Sequence, residues 1–554
     1  MSNKGDGESY KPVKTPPIMD DKNASRYVYG VKRLLVTISV TLVMFLTLLD
    51  TTIIVTAIPK ITTDFSSLSD LGWYGSAYLI ASCALQPVTG KMFSNFNLKY
   101  TFIAFLFVFE VGSAICGAAQ SSKMLIAGRA VAGLGGAGLR NGALTIMSET
   151  IPLQERPPYF GVAMGVSMLG AVAGPLIGGA FTASVSWRWC FYINLPIGGL
   201  AAILLLAIQI PGINKDKKAK SQSGILGVLT KLDPIGFLLF SPVAVMLLMA
   251  LQWGGSQYAW NSATIIGLFC GAGIMAIIFL AWEYYAGDEA MIPFSMLRNR
   301  VVWSSCLVIW FLFGAMMVYS YYLPIWFQAV KDASSLQSGV DVLPFILSQV
   351  VASIVSGGLV RKVGYYLPFV IVCGVLLTIS AALMSTFEVD TTSGKWIGYQ
   401  ILGGFGQGLG LQMPYVAVQN VLSEEDNAVA LSLLVFMQNF GGAIPLGIAE
   451  AVFSSKLASG MARYAADVNL SIVEAAGASG FRQAVQPAQL AGVLKAYNFA
   501  LTSEYYLAIA CTGATLVVCW GMGWINIVKD EKETTSSETR SSGDDQLENW
   551  RNVE

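Results

Sequence analysis

Two charged residues lie inside long apolar stretches of this chain and are its first candidates for chemistry. Asp50 stands in the run L-D-T-T-I-I-V-T-A-I-P, and Arg129 stands in G-R-A-V-A-G-L-G-G-A-G. If these stretches cross a membrane, each charge costs about 3 kcal/mol or more unless it faces a cavity or a partner. Because a buried guanidinium needs a carboxylate or several carbonyl groups, Asp50 is a candidate partner for Arg129. The pair indicates either proton coupling and gating or a purely structural ion pair.

Three further carboxylates, Glu110, Asp341 and Glu450, fall inside apolar stretches or at their edges. Asp341 opens its stretch and can be solvated there, whereas Glu450 lies deeper and is placed to bind a proton or a cation. The chain contains no histidine, so any proton carrier must be an aspartate or a glutamate. We therefore expect Asp50 and Glu450 to be the carboxylates of a proton-coupling site.

Uncharged polar side chains within the apolar stretches are candidates for contact with a ligand. The predicted cavity set consists of Gln86, Gln349, Gln407, Gln438, Asn439 and Tyr322. Each of these groups either forms a hydrogen bond to a ligand or joins neighbouring helices. Arg140 lies about three helical turns beyond Arg129 and either has a functional partner or reaches the nearby aqueous surface.

Several other chemistries are excluded. Gly133 to Gly138 matches G-x-G-x-x-G, but no strand precedes it, so it does not predict a dinucleotide site. No G-x-x-x-x-G-K-[ST] sequence occurs, which leaves ATP-driven pumping without support. The eight cysteines show no C-x-x-C spacing and are predicted to pack rather than to bind metal. With a net charge of zero nothing indicates nucleic acid, and we expect no cofactor, no metal and no enzyme activity.

The composition predicts an all-α integral membrane protein. The 554 residues are 54% hydrophobic and only 12% charged, whereas soluble domains carry about 25% charged residues. Fourteen stretches have the length of about 20 residues that a membrane span requires. They lie at about 34–58, 73–93, 100–120, 124–147, 158–182, 190–211, 234–253, 263–285, 303–327, 338–360, 366–386, 395–419, 428–454 and 504–526.

The distribution of basic residues predicts the orientation. An even number of spans places both termini on one side, and most lysines and arginines then fall in the loops and tails of that side. Positively charged loops remain in the cytosol, so we expect cytosolic termini. Residues 1–33 and 527–554 are predicted to be disordered cytosolic tails.

One uncharged helix combines closely spaced glycines with a proline. Gly170, Gly174 and Gly178 recur at one-turn spacing, Gly179 follows directly, and Pro175 removes a backbone donor and bends the helix. Small residues at this spacing allow a neighbouring helix to approach closely. A smooth face with a built-in bend suits two helix bundles that rock against each other.

These motifs together resemble the major facilitator superfamily. The run G-x-x-x-G-P-x-x-G-G resembles the antiporter motif of its exporters, and Asp50 lies in a sequence similar to the first-span motif of its fourteen-span drug:proton antiporters. Arg129, with Gly133 and Gly135, matches the fourth-span motif R-x-x-x-G-x-G, whose arginine the resemblance links to proton coupling. The loop after the second span departs from the family pattern, because Ser94 and Asn95 replace its Asp-Arg pair. This substitution, and the run W-R-W-C-F-Y-I-N-L-P-I-G from residue 187, resemble the fungal toxin-efflux subgroup.

An internal repeat predicts two six-helix bundles with two extra spans between them. The glycine-rich run from Gly403 is similar to that from Ala132, so spans nine to fourteen repeat spans one to six. The predicted units are 34–211, 212–302 with the cytosolic linker and the inserted spans, and 303–526. The last unit includes an outer loop, 455–503, which is predicted to be partly helical and carries a glycosylation sequon at Asn469.

The resemblance implies a proton-coupled efflux pump that exports a small organic compound such as a secondary metabolite, toxin or drug. Its partners would be that compound, protons and the lipid bilayer, and we expect a monomer in the plasma membrane, with the vacuolar membrane as the other location. Two alternatives stay open at this point. One is an uptake or vacuolar transporter of siderophores or basic amino acids, and the other is a non-transporting membrane receptor.

Overall fold

The computed structural model describes residues 27–65, 67, 70–208, 232–255 and 257–527. The predicted tails therefore lie outside the described residues up to residue 26 and from residue 528, as does most of the cytosolic linker. The described residues form helices and loops, and their only β-structure consists of two isolated bridges. The prediction of an all-α protein is confirmed.

Nineteen α-helices, numbered here in chain order, make up the described part of the protein. The first seven are α1 Gly30–Phe65, α2 Leu71–Asn95, α3 Leu98–Gly117, α4 Ser122–Thr150, α5 Arg156–Ser184, α6 Trp189–Tyr192 and α7 Asn194–Ala207. The next five are α8 Pro234–Trp253, α9 Ala263–Ala286, α10 Phe294–Arg298, α11 Arg300–Lys331 and α12 Ser335–Asp341. The last seven are α13 Leu343–Val363, α14 Leu367–Met384, α15 Ser393–Gly410, α16 Met413–Val421, α17 Glu424–Tyr464, α18 Leu470–Ala484 and α19 Pro487–Val518.

Polar side chains and prolines fix where several of these helices begin and end. The Asn97 side chain accepts a hydrogen bond from the Tyr100 amide at the start of α3, and Ser121 accepts one from Met124 at the start of α4. These bonds satisfy amide groups that the first turn of a helix leaves free. Proline also explains a break in the predicted twelfth span. Pro414 has no N–H to bond the Gly410 carbonyl, so α15 ends and α16 begins.

Eleven of the described helices are long and apolar enough to cross a membrane. The three other predicted spans correspond to α2, α4 and α15, which have 25, 29 and 18 residues but a less apolar composition. All three contain several glycines and pack against at least two other helices. A helix enclosed by other helices exposes little surface to lipid, so it needs fewer apolar side chains.

The connection between the last two predicted spans is shorter than expected. Helix α17 continues for ten residues beyond the predicted span end at 454, and α19 begins at Pro487 rather than near 504. Residues 455–503 are therefore mostly helical extensions of the two spans, with α18 between them. The sequence obscured this because both extensions are polar enough to fall below the hydropathy of a span.

Helix packing repeats between the first half, defined here as α1–α7, and the second half, α11–α19. In the first half α1 packs on α5 and α7, and α4 packs on α2 and α3. In the second half α11 packs on α17 and α19, and α15 packs on α13 and α14. Contacts between the halves are reciprocal, since α2 meets α17 and α5 meets α13. Helix α8 contacts α2 and α17 and so touches both halves, while α9 packs on α8.

Candidate functional site

A buried ion pair joins two residues that are 79 positions apart in the sequence. The Arg129 guanidinium on α4 donates from Nη1 to Asp50 Oδ2 on α1 at 2.6 Å. Their side chains are 1% and 0% exposed. The structure thus places the two sequence-predicted charges in direct contact, shielded from solvent.

Neighbouring groups complete the hydrogen bonds of this pair. Asn194 on α7 donates from Nδ2 to Asp50 Oδ1 at 2.9 Å and to the Ser113 hydroxyl at 3.0 Å. Arg129 Nε donates to the Tyr74 carbonyl at 2.9 Å, and the guanidinium lies 4.7 Å from the centre of the Tyr78 ring. Both charges therefore have more than one partner, which offsets part of the cost of removing them from water. Asn194 stands in the run from residue 187 that carries the resemblance to the fungal subgroup, but it was not predicted as a site residue.

Glu110 adds a second acidic group beside this cluster. It interacts electrostatically with Asp50, and its carboxyl group lies against Gly198 on α7. Neither of its carboxyl oxygens has a hydrogen-bond partner among the described residues. Glu110 therefore lies beside Asp50 as a second buried carboxyl group of the first half.

The glycines of α5 pack against α1 within the first half. A Cβ atom added at Gly170 would lie 2.5 Å from the Phe45 carbonyl oxygen, and one at Gly178 would lie 2.5 Å from the Thr56 hydroxyl. A Cβ atom at Gly174 would overlap the Thr52 hydroxyl. Gly179 has no neighbouring atom within 4 Å, and Pro175 lies inside the helix. The smooth face therefore joins α5 to α1, whereas contact with the second half is made by another part of α5.

Gly174→Ala is expected to destabilise the folded protein by about 1–3 kcal/mol, because the added methyl group overpacks the α1–α5 contact. Its Cβ atom would lie 2.9 Å from the Ile53 nitrogen, which is backbone and cannot rotate away. Gly179→Ala is the matched control in the same motif, since that position has free space. Thermal unfolding of the purified variants in detergent measures the difference. Equal melting temperatures for the two variants would contradict the tight contact.

Gly133 and Gly135 hold α4 against its neighbours. A Cβ atom at Gly133 would overlap the Tyr78 carbonyl oxygen on α2, and one at Gly135 would overlap the Phe109 amide on α3. Arg129 lies one turn before Gly133 on α4. These close contacts therefore also fix the position of its guanidinium relative to α2 and α3.

A cavity of about 700 Å³ lies between the two halves. Helices from both halves and α8 line it, so one helix of the inserted pair contributes to the site. Its apolar wall is rich in flexible methionines, namely Met44, Met164, Met168, Met316 and Met317. Its polar side chains include Thr51, Thr52, Arg140, Ser167, Gln252, Ser320, Tyr321, Tyr415, Gln438, Asn439 and Glu450. A mostly apolar wall with a few polar groups is typical of a site for a small organic molecule.

Two of the predicted cavity residues line this space. Gln438 accepts a hydrogen bond from the Tyr415 hydroxyl at 2.5 Å, and Asn439 accepts one from Arg140 at 3.3 Å. The second bond joins α4 to α17 and therefore crosses between the halves. Arg140 thus has a partner inside the protein rather than at the aqueous surface.

Four other predicted cavity residues lie outside the lining. Gln86, Gln349, Gln407 and Tyr322 are each at most 1% exposed and are absent from the cavity wall. Gln407 donates to the Leu312 carbonyl at 3.4 Å, so it joins two helices of the second half. Hydropathy identifies a polar group inside a span but not the direction in which it points, which explains the difference.

Glu450 lines the cavity, and a second carboxyl group that the sequence analysis overlooked lies nearby. Glu504 on α19 is 0% exposed and interacts electrostatically with Glu450. Glu504 stands in T-S-E-Y-Y at the start of the last predicted span. An acidic residue at the edge of an apolar stretch was the only available signal.

The two halves touch at the end of the molecule that carries both described termini. The Val28 amide donates to the Thr150 carbonyl at 3.1 Å, and the Ile527 amide donates to the Gly364 carbonyl at 2.8 Å. Arg361 lies 3.9 Å from Glu155 and links these two regions. We call this the termini end of the molecule.

Close contacts shut the termini end. Arg156 on α5 donates to Gln419 on α16 at 3.1 Å. A Cβ atom at Gly357 on α13 would overlap the Pro157 carbonyl oxygen, and one at Gly90 on α2 would lie 2.7 Å from the Val429 Cα on α17. The halves therefore meet here through glycine contacts and an Arg–Gln hydrogen bond. Asn95, which replaces a residue of the family's Asp-Arg pair, donates to the Lys91 carbonyl within its own helix.

Asn469 lies in the connection that follows α17 and caps the start of the short helix α18. Its side-chain oxygen accepts a hydrogen bond from the Ser471 amide at 3.0 Å at the start of α18. The residue is exposed, so its amide nitrogen is accessible for glycan attachment in the sequon.

Comparison with known proteins gives consistent matches over most of the chain. Residues 40–445 match the model of the Major Facilitator Superfamily. The chain is 52% identical over 514 residues to the efflux pump mokI of Monascus pilosus, covering 92% of this chain and 95% of that protein. It is also 52% identical over 526 residues to the efflux pump mlcE of Penicillium citrinum, covering 94% of each.

A solved structure supports the fold. The proton:xylose symporter XylE, bound to 6-bromo-6-deoxy-D-glucose, matches with a TM-score of 0.56 and 15% sequence identity. The match covers 88% of this chain and 95% of that chain. At this identity the likeness concerns the fold alone.

Proposed function

Because the chain belongs to the Major Facilitator Superfamily, we propose that it is a proton-coupled efflux pump that exports a small organic compound such as a secondary metabolite, toxin or drug. It is a multi-pass membrane transporter and not an enzyme. Its 52%-identical relatives are named efflux pumps, which supports export over uptake.

The cavity between the halves is the observation that carries this proposal. Its volume of about 700 Å³ is within the range of about 300–1,000 Å³ that holds a small organic ligand. Methionine side chains are flexible and polarisable, so they adapt to ligands of irregular shape. The mostly apolar wall favours an apolar compound over a siderophore or a basic amino acid.

The proposed architecture has fourteen spans. Two six-helix bundles, 34–211 and 303–526, enclose the cavity, and the unit 212–302 supplies α8 and α9 as the additional spans. The reciprocal contacts of α2 with α17 and of α5 with α13 support two equivalent bundles. We place both termini in the cytosol and the protein, as a monomer, in the plasma membrane. The termini end is then the cytosolic end, closed in this conformation.

Transport would proceed by alternating access of the cavity to the two sides. Protonation of Asp50 would neutralise it and weaken its hold on Arg129, thereby changing the packing of α1 on α4. Once the cavity faces the cytosol, release of the proton from Asp50 would accompany binding of the substrate. One proton supplies about 2.3 kcal/mol per 100 mV and about 1.4 kcal/mol per pH unit. Together these energies are sufficient to export the substrate against its own concentration gradient, since each 1.4 kcal/mol corresponds to about a tenfold concentration ratio.

Export is tested by comparing the metabolites of medium and cells with and without this gene. We expect at least one compound to accumulate in the cells that lack the gene and to decrease in their medium. Everted membrane vesicles should then take up that compound when a pH gradient is imposed and lose this uptake when the gradient is collapsed. Cells that carry the Asp50→Asn variant should show the same metabolite pattern as cells that lack the gene, and immunodetection in their membrane fraction checks that the variant is present.

Two outcomes would contradict the proposal. Depletion of a compound from the medium by cells that carry the gene would indicate uptake. Export that continues after the pH gradient and the membrane potential are collapsed would exclude proton coupling.

A further inference from the structure

Glu504 is a fully enclosed carboxyl group without a hydrogen-bond partner. It lies on α19, which packs on α11, α14 and α17, and its exposed fraction is 0%. Within the described ranges, neither of its two oxygens accepts or donates a hydrogen bond. Nearly all buried polar groups in proteins have partners, so this one needs an explanation.

The ionisable groups that interact with Glu504 come from α11 and α17, two of the helices that pack on α19. Glu450 on α17 and Tyr322 on α11 both interact electrostatically with it. The Tyr322 hydroxyl is buried and interacts with the Glu450 side chain as well as with Glu504. In the part of the chain that the structure describes, no lysine or arginine forms an ion pair with either glutamate.

These surroundings are unfavourable for a negative charge. An ionised carboxylate that is buried without a cation or hydrogen bonds pays a large desolvation cost. A second carboxylate at Glu450 adds repulsion. A protonated Glu504 avoids both costs, and the nearby Tyr322 hydroxyl is able to donate or accept a hydrogen bond during proton exchange.

Glu450 connects this buried group to the cavity. Glu450 lines the cavity, whereas Tyr322 and Glu504 do not. A proton that leaves Glu504 therefore reaches cavity water most directly by way of Tyr322 and Glu450. Both side chains lie within electrostatic reach of Glu504.

We propose that Glu504 is a proton-binding residue of the second half, which exchanges its proton with the cavity through Glu450 and Tyr322. This site is separate from Asp50 and Arg129, which lie in the first half. The proposal deepens the proposed proton-coupled export, on which its role in transport rests. It gives each half of the molecule its own buried carboxyl group for proton coupling, Asp50 in the first half and Glu504 in the second.

Infrared difference spectroscopy of the full-length protein in lipid vesicles tests proton binding without any substrate. The wild-type protein should show a carbonyl-stretch band of a protonated carboxylic acid that disappears as the pH is raised. Glu504→Gln should lack this band. Glu388→Gln is the matched control, because Glu388 is exposed and its replacement should leave the band unchanged.

Glu450→Gln keeps the test decisive if Glu504→Gln does not fold. Removing the neighbouring charge favours ionisation of Glu504, so the band should disappear at a lower pH than in the wild type. Glu450 lines the cavity, where an amide can be solvated. A band retained in Glu504→Gln, or unaffected in its pH dependence by Glu450→Gln, would overturn the proposal.

The same samples separate this inference from the proposed function. Wild-type vesicles whose transport does not respond to a pH gradient would contradict proton-coupled export, while the infrared band still reports proton binding at Glu504. Conversely, gradient-driven transport with no titrating band that depends on Glu504 would overturn only the inference about this residue.

Discussion

Asp50→Asn is expected to abolish proton-driven export and to destabilise the folded protein. The change leaves the Arg129 guanidinium, 1% exposed, without its anionic partner. Breaking a buried ion pair by removing one partner costs about 3–5 kcal/mol. The variant also cannot bind and release a proton at this position. Everted vesicles should show no accumulation under an imposed pH gradient, and thermal unfolding should begin at a lower temperature.

The double variant Asp50→Asn with Arg129→Gln separates the two effects. It removes both charges and leaves none unpaired, so its destabilisation should be smaller than the sum of those of the two single variants. Proton-driven export should remain absent, because no proton carrier is restored. Export at the wild-type rate in the double variant would show that the pair is structural and that coupling resides elsewhere.

Gly357→Ala is expected to prevent closure of the termini end and to reduce export strongly. The added Cβ atom would overlap the Pro157 carbonyl oxygen and lie 2.9 Å from the Pro157 carbonyl carbon. Overpacking of this kind costs about 1–3 kcal/mol, which shifts a two-state equilibrium by roughly 5- to 150-fold. The closed conformation should therefore lose most of its population.

Gly358→Ala is the matched control for this gate. It changes the adjacent residue of the same helix in the same way, but no atom lies within 4 Å of the added methyl group. Distances between spin labels on α5 and α13 at the termini end should increase in Gly357→Ala and remain unchanged in Gly358→Ala. Identical distances and transport rates in both variants would contradict a gate that depends on this close contact.

The apolar stretches, the internal repeat and the candidate acidic residues could be read from the sequence. Length and hydropathy identify a span because lipid requires about 20 apolar residues whose backbone groups bond within the helix. The limits of this signal appear at α4 and α15, which are long helices that fall short of the hydropathy of a span. Both helices pack against at least two others, so a hydropathy threshold that suits lipid-facing spans does not identify them.

The partners and directions of the polar side chains were decided only by the tertiary structure. Asp50 could be suggested as the partner of Arg129 from its charge. Asn194 could not be suggested, because the run in which it stands does not indicate contact with a residue 144 positions away. Gln438 faces the cavity while Gln407 lies between helices. The rotation of a helix about its axis depends on its neighbours. In a span surrounded by protein, the sequence has no separate polar and apolar faces from which this rotation could be predicted.

The sequence by itself determined that this chain crosses the membrane many times and carries charges that need partners there. Only the tertiary structure decided that the glycines of α5 hold α1, that separate glycine contacts close the termini end, and that Glu504 lies behind Glu450. The physical reason is that insertion into a bilayer is governed by local composition. Packing between helices is governed by contacts between residues far apart in the chain.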